Sequence, residues 1–136
     1  MTTLYGREHV ERYLATDGAE GYDWNRDTTI LLLFTTGRKS GKKRTNALIY
    51  RDYGDAYLVV ASKGGAPEPP EWYLNLDDDP NVEVQIKGER FNAHARTATA
   101  EEKPAVWKQM TEVWPDYDKY QTKADREIPV VILERV

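Results

Sequence analysis

Cysteine is absent from this chain of 136 residues, and histidine occurs only twice, at His9 and His94. Without thiols the chain can form no disulfide, thiolate zinc site or iron–sulfur cluster, and it has no cysteine nucleophile. Because the two histidines lie far apart in the sequence, we expect no bound metal. The length predicts a single domain over residues 1–136.

Long apolar runs are also missing. No window approaches the roughly 18 apolar residues of a membrane-spanning helix, and the N-terminus lacks the charged-then-apolar pattern of a signal peptide. We therefore expect a cytoplasmic protein with no transmembrane segment. The stripe of Val10, Tyr13 and Leu14 on a predicted first helix is too short to decide whether the chain touches a membrane surface as a peripheral protein.

The charges are distributed unevenly. The chain has 19 basic and 23 acidic residues, but residues 37–44, GRKSGKKR, hold five basic side chains and no acid. The other 128 residues therefore carry a net charge of −9. This acidic remainder argues against nucleic acid as a partner, and the loop favours a small anionic ligand. The alternative is a solvated hairpin whose charges only limit pairing at a sheet edge.

The apolar patterns predict a mainly β, α+β fold. Short links between about six strands favour antiparallel pairing, and the lack of strand–helix alternation argues against a doubly wound sheet. We predict a barrel or strongly curled sheet over residues 29–136, preceded by a helix and an irregular lead-in over residues 1–28. The predicted strands are 29–36, 45–50, 56–62, 82–86, 90–98 and 128–133, and the predicted helices are 7–16, 70–76, 99–114 and 117–124.

The segment ASKGGA, residues 61–66, leaves a predicted strand and precedes a predicted short helix. It offers a hydroxyl, an ammonium and unobstructed backbone N–H groups, which suit the polar edge of a flat heterocycle. An ordinary strand-to-helix connection is the alternative reading. The chain has no Walker loop, no dinucleotide-binding glycine motif and no Gly-x-Ser-x-Gly elbow.

An aromatic cluster follows near the C-terminus. Trp114, Tyr117 and Tyr120 are spaced by three, so one helical face could present them together if Pro115 permits. Such a stripe is typical of a core, but flat aromatic walls also suit flat ligands. Both interpretations stay open at this point.

Three segments taken together resemble the deazaflavin-dependent nitroreductase family. They are TTGRKSG at residues 35–41, ASKGGAP with WYLNL at residues 61–67 and 72–76, and YDKYQ with DREIPVV at residues 117–121 and 125–131. The likeness keeps order and spacing from about Leu31 to the C-terminus. It implies a split β-barrel, similar to barrels that bind flavin mononucleotide, and it implies coenzyme F420, a deazaflavin with a phosphate and an oligoglutamate tail.

The resemblance also implies site residues. Those expected to hold the phosphate and tail are Arg38, Lys39, Ser40, Arg44, Thr45, Asn46 and Ala47, and those expected at the ring edge are Ala61, Ser62, Lys63 and Gly64. The substrate pocket would be lined by Trp72, Trp114, Tyr117 and Tyr120, with Tyr117 also against the cofactor. Two departures stand out. Lys43 and Ala47 replace prolines that are common in relatives, and Trp114 replaces a tyrosine, so the substrate range does not carry over.

The predicted function is an F420-dependent reductase that transfers a hydride to a flat electrophilic acceptor, such as a quinone, an enone or a nitro-heterocycle. Tyr117, Tyr120 and Ser62 are the predicted catalytic residues, because a hydroxyl can hydrogen-bond or protonate the acceptor oxygen. The alternatives are an oxidoreductase that binds flavin mononucleotide on the same barrel, and a barrel that binds a cofactor or lipid without turnover. Monomer and homodimer are both left open.

Overall fold

The computed structural model describes residues 4–136, so the first three residues of the predicted lead-in lie outside it. The described part contains four α-helices, two 3-10 turns and eight strands. In chain order these are α1 (Gly6–Thr16), β1 (Asp23–Trp24), a 3-10 turn (Asn25–Asp27), β2 (Thr28–Thr36), β3 (Lys43–Ile49), β4 (Arg51–Tyr53), β5 (Ala56–Val60), a 3-10 turn (Lys63–Gly65), α2 (Glu71–Asp78), β6 (Asn81–Ile86), β7 (Glu89–Thr97), α3 (Lys103–Val113), α4 (Asp116–Lys123) and β8 (Val130–Arg135).

The strands form one curled antiparallel sheet. Its order is β1-β2-β6-β7-β8-β5-β4, and β3 pairs with β2 as well. Every pairing is antiparallel, and no ladder joins β3 to β5 in the part of the chain that the structure describes. The predicted curled antiparallel sheet with flanking helices is thus confirmed, and the open side between β3 and β5 is where the candidate site lies.

Two short strands account for the difference between the predicted six strands and the observed eight. β1 has two residues and pairs with the start of β2, inside the segment predicted to be irregular. Residues 51–55 have a composition that predicts a turn between two strands, but Arg51–Tyr53 form the strand β4, so that prediction is wrong for these three residues. The turn is confined to Gly54 and Asp55, where Gly54 has a φ of +61°. Three residues of turn-like composition form a strand there because they pair with β5.

β2 is buried on both faces, as its unbroken apolar run predicts. Leu31 and Leu33 pack into the central core, whereas Ile30, Leu32 and Phe34 pack into a second core beneath α1. Since alternate side chains of a strand point to opposite faces, a strand with a core on each side shows no polar alternation.

α1 docks on the sheet through a buried tyrosine. The Tyr13 hydroxyl donates to the Ile30 carbonyl at 3.0 Å and accepts the Lys87 N–H at 2.7 Å. Burial raises the pKa of Tyr13 to about 12. The predicted apolar stripe is correct for Tyr13 but wrong for Leu14, which is 38% exposed. The second fully buried residue of the helix is His9, which lies one turn before Tyr13. None of the α-helices described, the longest of which has 11 residues, could traverse a bilayer.

Thr99 and Glu102, whose spacing predicts a capping box, form one immediately before α3. Glu102 accepts the backbone N–H of Thr99 at 2.9 Å, and Thr99 Oγ1 accepts the backbone N–H of Glu102 at 3.2 Å. The Arg96 guanidinium also donates to both carboxylate oxygens of Glu102, at 2.7 and 3.0 Å. These hydrogen bonds, those of Arg96 first, lower the pKa of Glu102 from 4.5 to about 2.

The pKa of Glu102 predicts a dependence of stability on pH. A carboxylate with a lowered pKa stabilises the fold above its unfolded pKa, and the effect is lost as pH falls through the folded pKa. Glu102→Gln should therefore be less stable than the parent by a constant amount above about pH 4.5, and the difference should vanish toward about pH 2. Urea unfolding across this range checks it. Glu101→Gln, at an exposed neighbour, is the control, and an equal, pH-independent loss in both variants would contradict the prediction.

Candidate active site

Two adjoining clefts lie on the open side of the sheet. The first, here called the anion cleft, has a volume of about 710 Å³, and the second, the aromatic cleft, has a volume of about 530 Å³. They share lining residues from α1, β3 and α2, namely Gly6, Asn46, Ala47, Glu71 and Trp72. The two clefts therefore form one continuous groove, with Trp72 at the junction.

The anion cleft is built around the basic loop. Five basic and two acidic residues line it, together with small and polar groups from β3 and α2. Its charged lining residues are Arg7, Glu11, Arg38, Lys39, Lys43, Arg44 and Glu71. Gly41, with a φ of +72°, lets the loop turn back into β3. The donor set of guanidinium, ammonium and hydroxyl groups fits a phosphate or carboxylate ligand.

Arg38 is oriented by α2. The buried Asn75 side chain accepts the Arg38 backbone N–H at 3.2 Å and its Nη1 at 2.9 Å, and it donates to Thr35 Oγ1 at 3.3 Å. Nη1 of Arg38 also pairs with the Glu71 carboxylate at 2.7 Å. Hydrogen bonding to Arg38 lowers the pKa of Glu71, so this carboxylate is ionised at neutral pH. Glu71 therefore competes with any anionic ligand for the Arg38 guanidinium.

Removal of the competing carboxylate gives a prediction. Glu71→Gln should tighten the binding of a phosphate- or carboxylate-bearing ligand by about threefold to tenfold, because the gain is that of one partly exposed ion pair. The gain should shrink as ionic strength rises. Fluorescence titration at two salt concentrations measures it. Glu112→Gln is the matched control, since Glu112 forms an exposed ion pair with Arg51 and neither residue lines a cleft. Equal tightening in both variants would indicate net charge rather than local competition.

The segment ASKGGA forms a tight turn at the edge of the aromatic cleft. Ser62 has right-handed helical dihedrals, whereas Lys63 and Gly64 have φ values of +47° and +64°. A right-handed residue followed by a left-handed one directs successive N–H groups toward one concavity, which binds negative charge. The N–H groups of Gly65 and Ala66 bond within the turn. Those of Ser62, Lys63 and Gly64 have no partner within residues 4–136.

Aromatic side chains form the far wall of the aromatic cleft. Tyr117 and Tyr120 come from α4, but Trp114 lies between α3 and α4, so the predicted single helical face is wrong. Pro115 separates Trp114 from the helix, as the sequence allowed. The three side chains nonetheless line the same cleft and also pack on the core beneath α3. Core and cleft wall, the two interpretations of this cluster, both apply.

The hydroxyl groups in this cleft are free to donate. Trp114 Nε1 donates to the Tyr120 hydroxyl at 3.3 Å, which leaves the hydroxyl proton of Tyr120 available. No group within the described chain hydrogen-bonds the Tyr117 hydroxyl or the Ser62 hydroxyl. Burial raises the pKa of Tyr117, so its hydroxyl stays protonated at neutral pH and acts as a hydrogen-bond donor.

The N-terminal segment supplies wall residues that sequence reasoning missed. Tyr5, His9 and Trp24 line the aromatic cleft. His9 stacks on Trp24, with ring centroids 6.1 Å apart, and its Nε2 lies 2.8 Å from the Gly21 carbonyl. Trp24 in turn lies 5.7 Å from Trp114. The placement of His9 one turn before Tyr13 was the available signal. Nothing local marked Trp24.

The structure brings together most of the residues that the sequence predicted for the site. The residues expected at the phosphate and tail all line the anion cleft, and Asn46 and Ala47 line both clefts. The residues expected at the ring edge and the substrate pocket line the aromatic cleft, with one exception. Ala61 is fully buried, and its N–H and carbonyl are bonded to Pro129 and Arg126. Within residues 4–136, no three His, Asp or Glu side chains cluster as metal ligands would.

The chain is similar to known proteins over nearly its whole length. Residues 4–135 match the family model described as F420H(2)-dependent quinone reductase. An F420H(2)-dependent quinone reductase of Mycobacterium tuberculosis is 39% identical over 132 residues, which cover 95% of this chain and 89% of the relative.

Two solved structures are similar as well. An F420-H2-dependent reductase (FDR-A) shares 45% identity with a TM-score of 0.71, covering 77% of this chain and 93% of the other. A structure described as a domain-swapped dimer shares 44% identity with a TM-score of 0.75, covering 94% of this chain and 96% of the other.

Proposed function

This chain belongs to the F420H(2)-dependent quinone reductase family, and from that premise we propose that it reduces a quinone by hydride transfer in the groove formed by the two clefts. The prediction of an oxidoreductase that uses coenzyme F420 is confirmed by the family match and by its relatives. The wider acceptor range suggested by a nitroreductase resemblance, which includes enones and nitro-heterocycles, stays part of the proposal.

The placement of the cofactor follows from the chemistry of the groove. Its anionic phosphate and tail would lie in the anion cleft, where Arg38, Lys39 and Arg44 are three of the five basic side chains that line it. The ring would lie in the aromatic cleft with its polar edge toward the free N–H groups of Ser62 and Lys63. The continuity of the two clefts supports this placement, since one elongated ligand can occupy both.

The acceptor would stack beside the ring, within the aromatic wall. The reduced deazaflavin supplies the hydride, with its two electrons. Tyr117 and Tyr120 would then hydrogen-bond the acceptor oxygen on which negative charge develops, because both keep an available hydroxyl proton. The raised pKa of Tyr117 makes it a poor acid, so the proton that completes the hydroquinone would come from water, with the tyrosines as stabilising donors. Ser62, which lines the same cleft, would add a third donor at the ring edge.

The observation that carries this proposal is the pairing of a cationic cleft with an adjoining aromatic cleft that holds unpartnered hydroxyl and N–H donors. An assay of F420H2 oxidation by menadione, monitored through the rise in F420 absorbance, tests the proposal. Tyr117→Phe should lower kcat about tenfold to 100-fold and leave the F420 dissociation constant nearly unchanged. Tyr73→Phe is the control, since the Tyr73 hydroxyl bonds Thr97 outside both clefts. An absence of menadione-dependent oxidation by the parent protein would overturn the proposal.

Two alternative functions predict different results with the purified protein. Purified protein with flavin fluorescence would favour flavin mononucleotide on the same barrel. Tight F420 binding with no turnover across quinones, enones and nitro compounds would favour a binding protein.

For the oligomeric state, one relative is described as a domain-swapped dimer, and we propose that gel filtration with and without F420 distinguishes monomer from homodimer. We propose a cytoplasmic location with contact to the membrane surface where quinones reside, which vesicle co-sedimentation tests.

A further inference from the structure

We propose that Arg126 is a positioning residue for the cofactor: it fixes the turn at residues 61–66 so that the N–H groups of Ser62 and Lys63 face the aromatic cleft. Arg126 lines neither cleft, and it follows α4 in the chain. The inference rests on the proposed function, because it names the group that holds the ring edge of the cofactor in place.

Four hydrogen bonds join the Arg126 guanidinium to backbone carbonyls of this one turn. It donates to Ala66 at 3.1 Å, to Ala61 at 3.3 Å from both terminal nitrogens, and to Ser62 at 2.9 Å. No ion pair joins Arg126 to a carboxylate within the described residues. Within the described residues the carbonyls of Ala61 and Ala66 have no other partner, whereas the Ser62 carbonyl also accepts the Gly65 N–H at 2.9 Å. The N–H donors of an arginine fork suit such a set.

The geometry of the peptide unit connects these bonds to the cleft. In a trans peptide the C=O of one residue and the N–H of the next point in opposite directions. Since the carbonyls of Ala61 and Ser62 point at Arg126, the N–H groups of Ser62 and Lys63 point away from it. Ser62 and Lys63 line the aromatic cleft, so these N–H groups are directed to the cleft side. Charge-assisted hydrogen bonding to the carbonyls also polarises the same peptide units, which strengthens their N–H donors.

The turn has backbone features that need such an anchor. Lys63 is a non-glycine residue in the left-handed region, at a φ of +47°, and Gly64 and Gly65 follow at +64° and +83°. Left-handed dihedrals are unfavourable for a residue that carries a Cβ. A conformation of this kind persists only where surrounding contacts impose it. The four hydrogen bonds of Arg126 hold this turn from a residue that lines neither cleft.

Substitutions of Arg126 test the inference. Arg126→Gln keeps some hydrogen-bonding capacity but loses the charged fork, and Arg126→Lys keeps the charge alone. Arg51→Gln is the matched control, because Arg51 also donates to a distant backbone carbonyl, that of Gln109, away from both clefts. Each variant is assayed for the F420 dissociation constant, for the KM of F420H2 and of menadione, and for thermal unfolding.

The expected result is a split between the two substrates. Arg126→Gln should raise the dissociation constant of F420 and the KM of F420H2 by about tenfold or more, with a menadione KM close to that of the parent. Arg126→Lys should fall between parent and Arg126→Gln, since one ammonium cannot reproduce the fork. Arg51→Gln should leave both KM values unchanged even where it lowers the melting temperature.

A loss of active protein with both KM values unchanged would show a purely structural role and overturn the inference. If Arg126→Gln does not fold, Arg126→Lys decides: a raised F420H2 KM at constant menadione KM supports the inference, and parallel changes overturn it. Failure of the proposed function is a different result, because the parent protein itself would then fail to oxidise F420H2 with menadione.

Discussion

Arg38→Glu is expected to weaken F420 binding by about 100-fold or more. Arg38 is the guanidinium of the anion cleft that Asn75 holds in place, with its backbone N–H and Nη1 both directed to one amide oxygen. Charge reversal removes a charge-assisted donor and adds a carboxylate beside Glu71, in a cleft that we propose holds a phosphate and a polyanionic tail. Fluorescence titration with F420 measures the loss, and a salt series tests its electrostatic part.

Lys42→Glu is the matched control for Arg38→Glu. Lys42 belongs to the same loop and undergoes the same reversal of charge, but it does not line the anion cleft. The loop as a whole therefore changes its charge equally in the two variants. Similar losses of affinity would mean that the loop acts through its overall field and that Arg38 has no special role. A small loss for Lys42→Glu would locate the effect at the guanidinium.

Gly65→Ala should destabilise the protein by about 2–5 kcal/mol, as the sum of backbone strain and overpacking. Gly65 has a φ of +83°, and a Cβ there would lie 2.7 Å from the Tyr120 carbonyl oxygen and 3.1 Å from its Cα. Both neighbours are backbone atoms of α4, so relief requires the helix to move away from the turn. The same displacement shifts the Tyr117 and Tyr120 side chains, and we expect kcat to fall along with stability. Urea unfolding and steady-state assays measure the two effects.

Gly64→Ala separates strain from contact. Gly64 has a similar φ of +64°, but a Cβ there meets nothing within 4 Å. This variant should lose about 1–2 kcal/mol of stability, which is the cost of the left-handed conformation for an alanine. Equal destabilisation at the two positions would contradict the claim that the turn and α4 are in close contact at Gly65.

The fold was predictable where one strand or loop carries its own pattern. β2 was recognisable from its unbroken apolar run, and the pair β6–β7 from its alternation. β4 was not, because three residues of turn-like composition become a strand only by pairing with β5. Gln85 occupies a polar position in the alternation of β6 and is nevertheless 4% exposed, since its amide bonds Arg90 and the Lys87 carbonyl.

The candidate site was likewise predictable only where its residues lie in one local segment. The basic loop and the turn at residues 61–66 are each one unbroken stretch of sequence, so both could be recognised as candidates. Composition favoured a small anionic ligand for the loop and left an ordinary connection open for the turn, and the family resemblance indicated which ligand. The roles of individual residues in binding and catalysis stay predictions. The contribution of α1 was missed because it depends on contacts across the whole chain. His9 reaches Trp24, and Trp24 reaches Trp114, which is 90 positions further along the sequence.

The distribution of tryptophan has an optical consequence. Of the four tryptophans, Trp24, Trp72 and Trp114 line the groove, and only Trp107 lies outside it, with its indole bonded to Asp118. Three of the four tryptophans thus lie in the wall of the groove where a coloured ligand would sit, so its absorption should quench their emission. On binding of such a ligand, Trp107, which packs beside Tyr117 but lies outside the groove, should contribute most of the emission that remains.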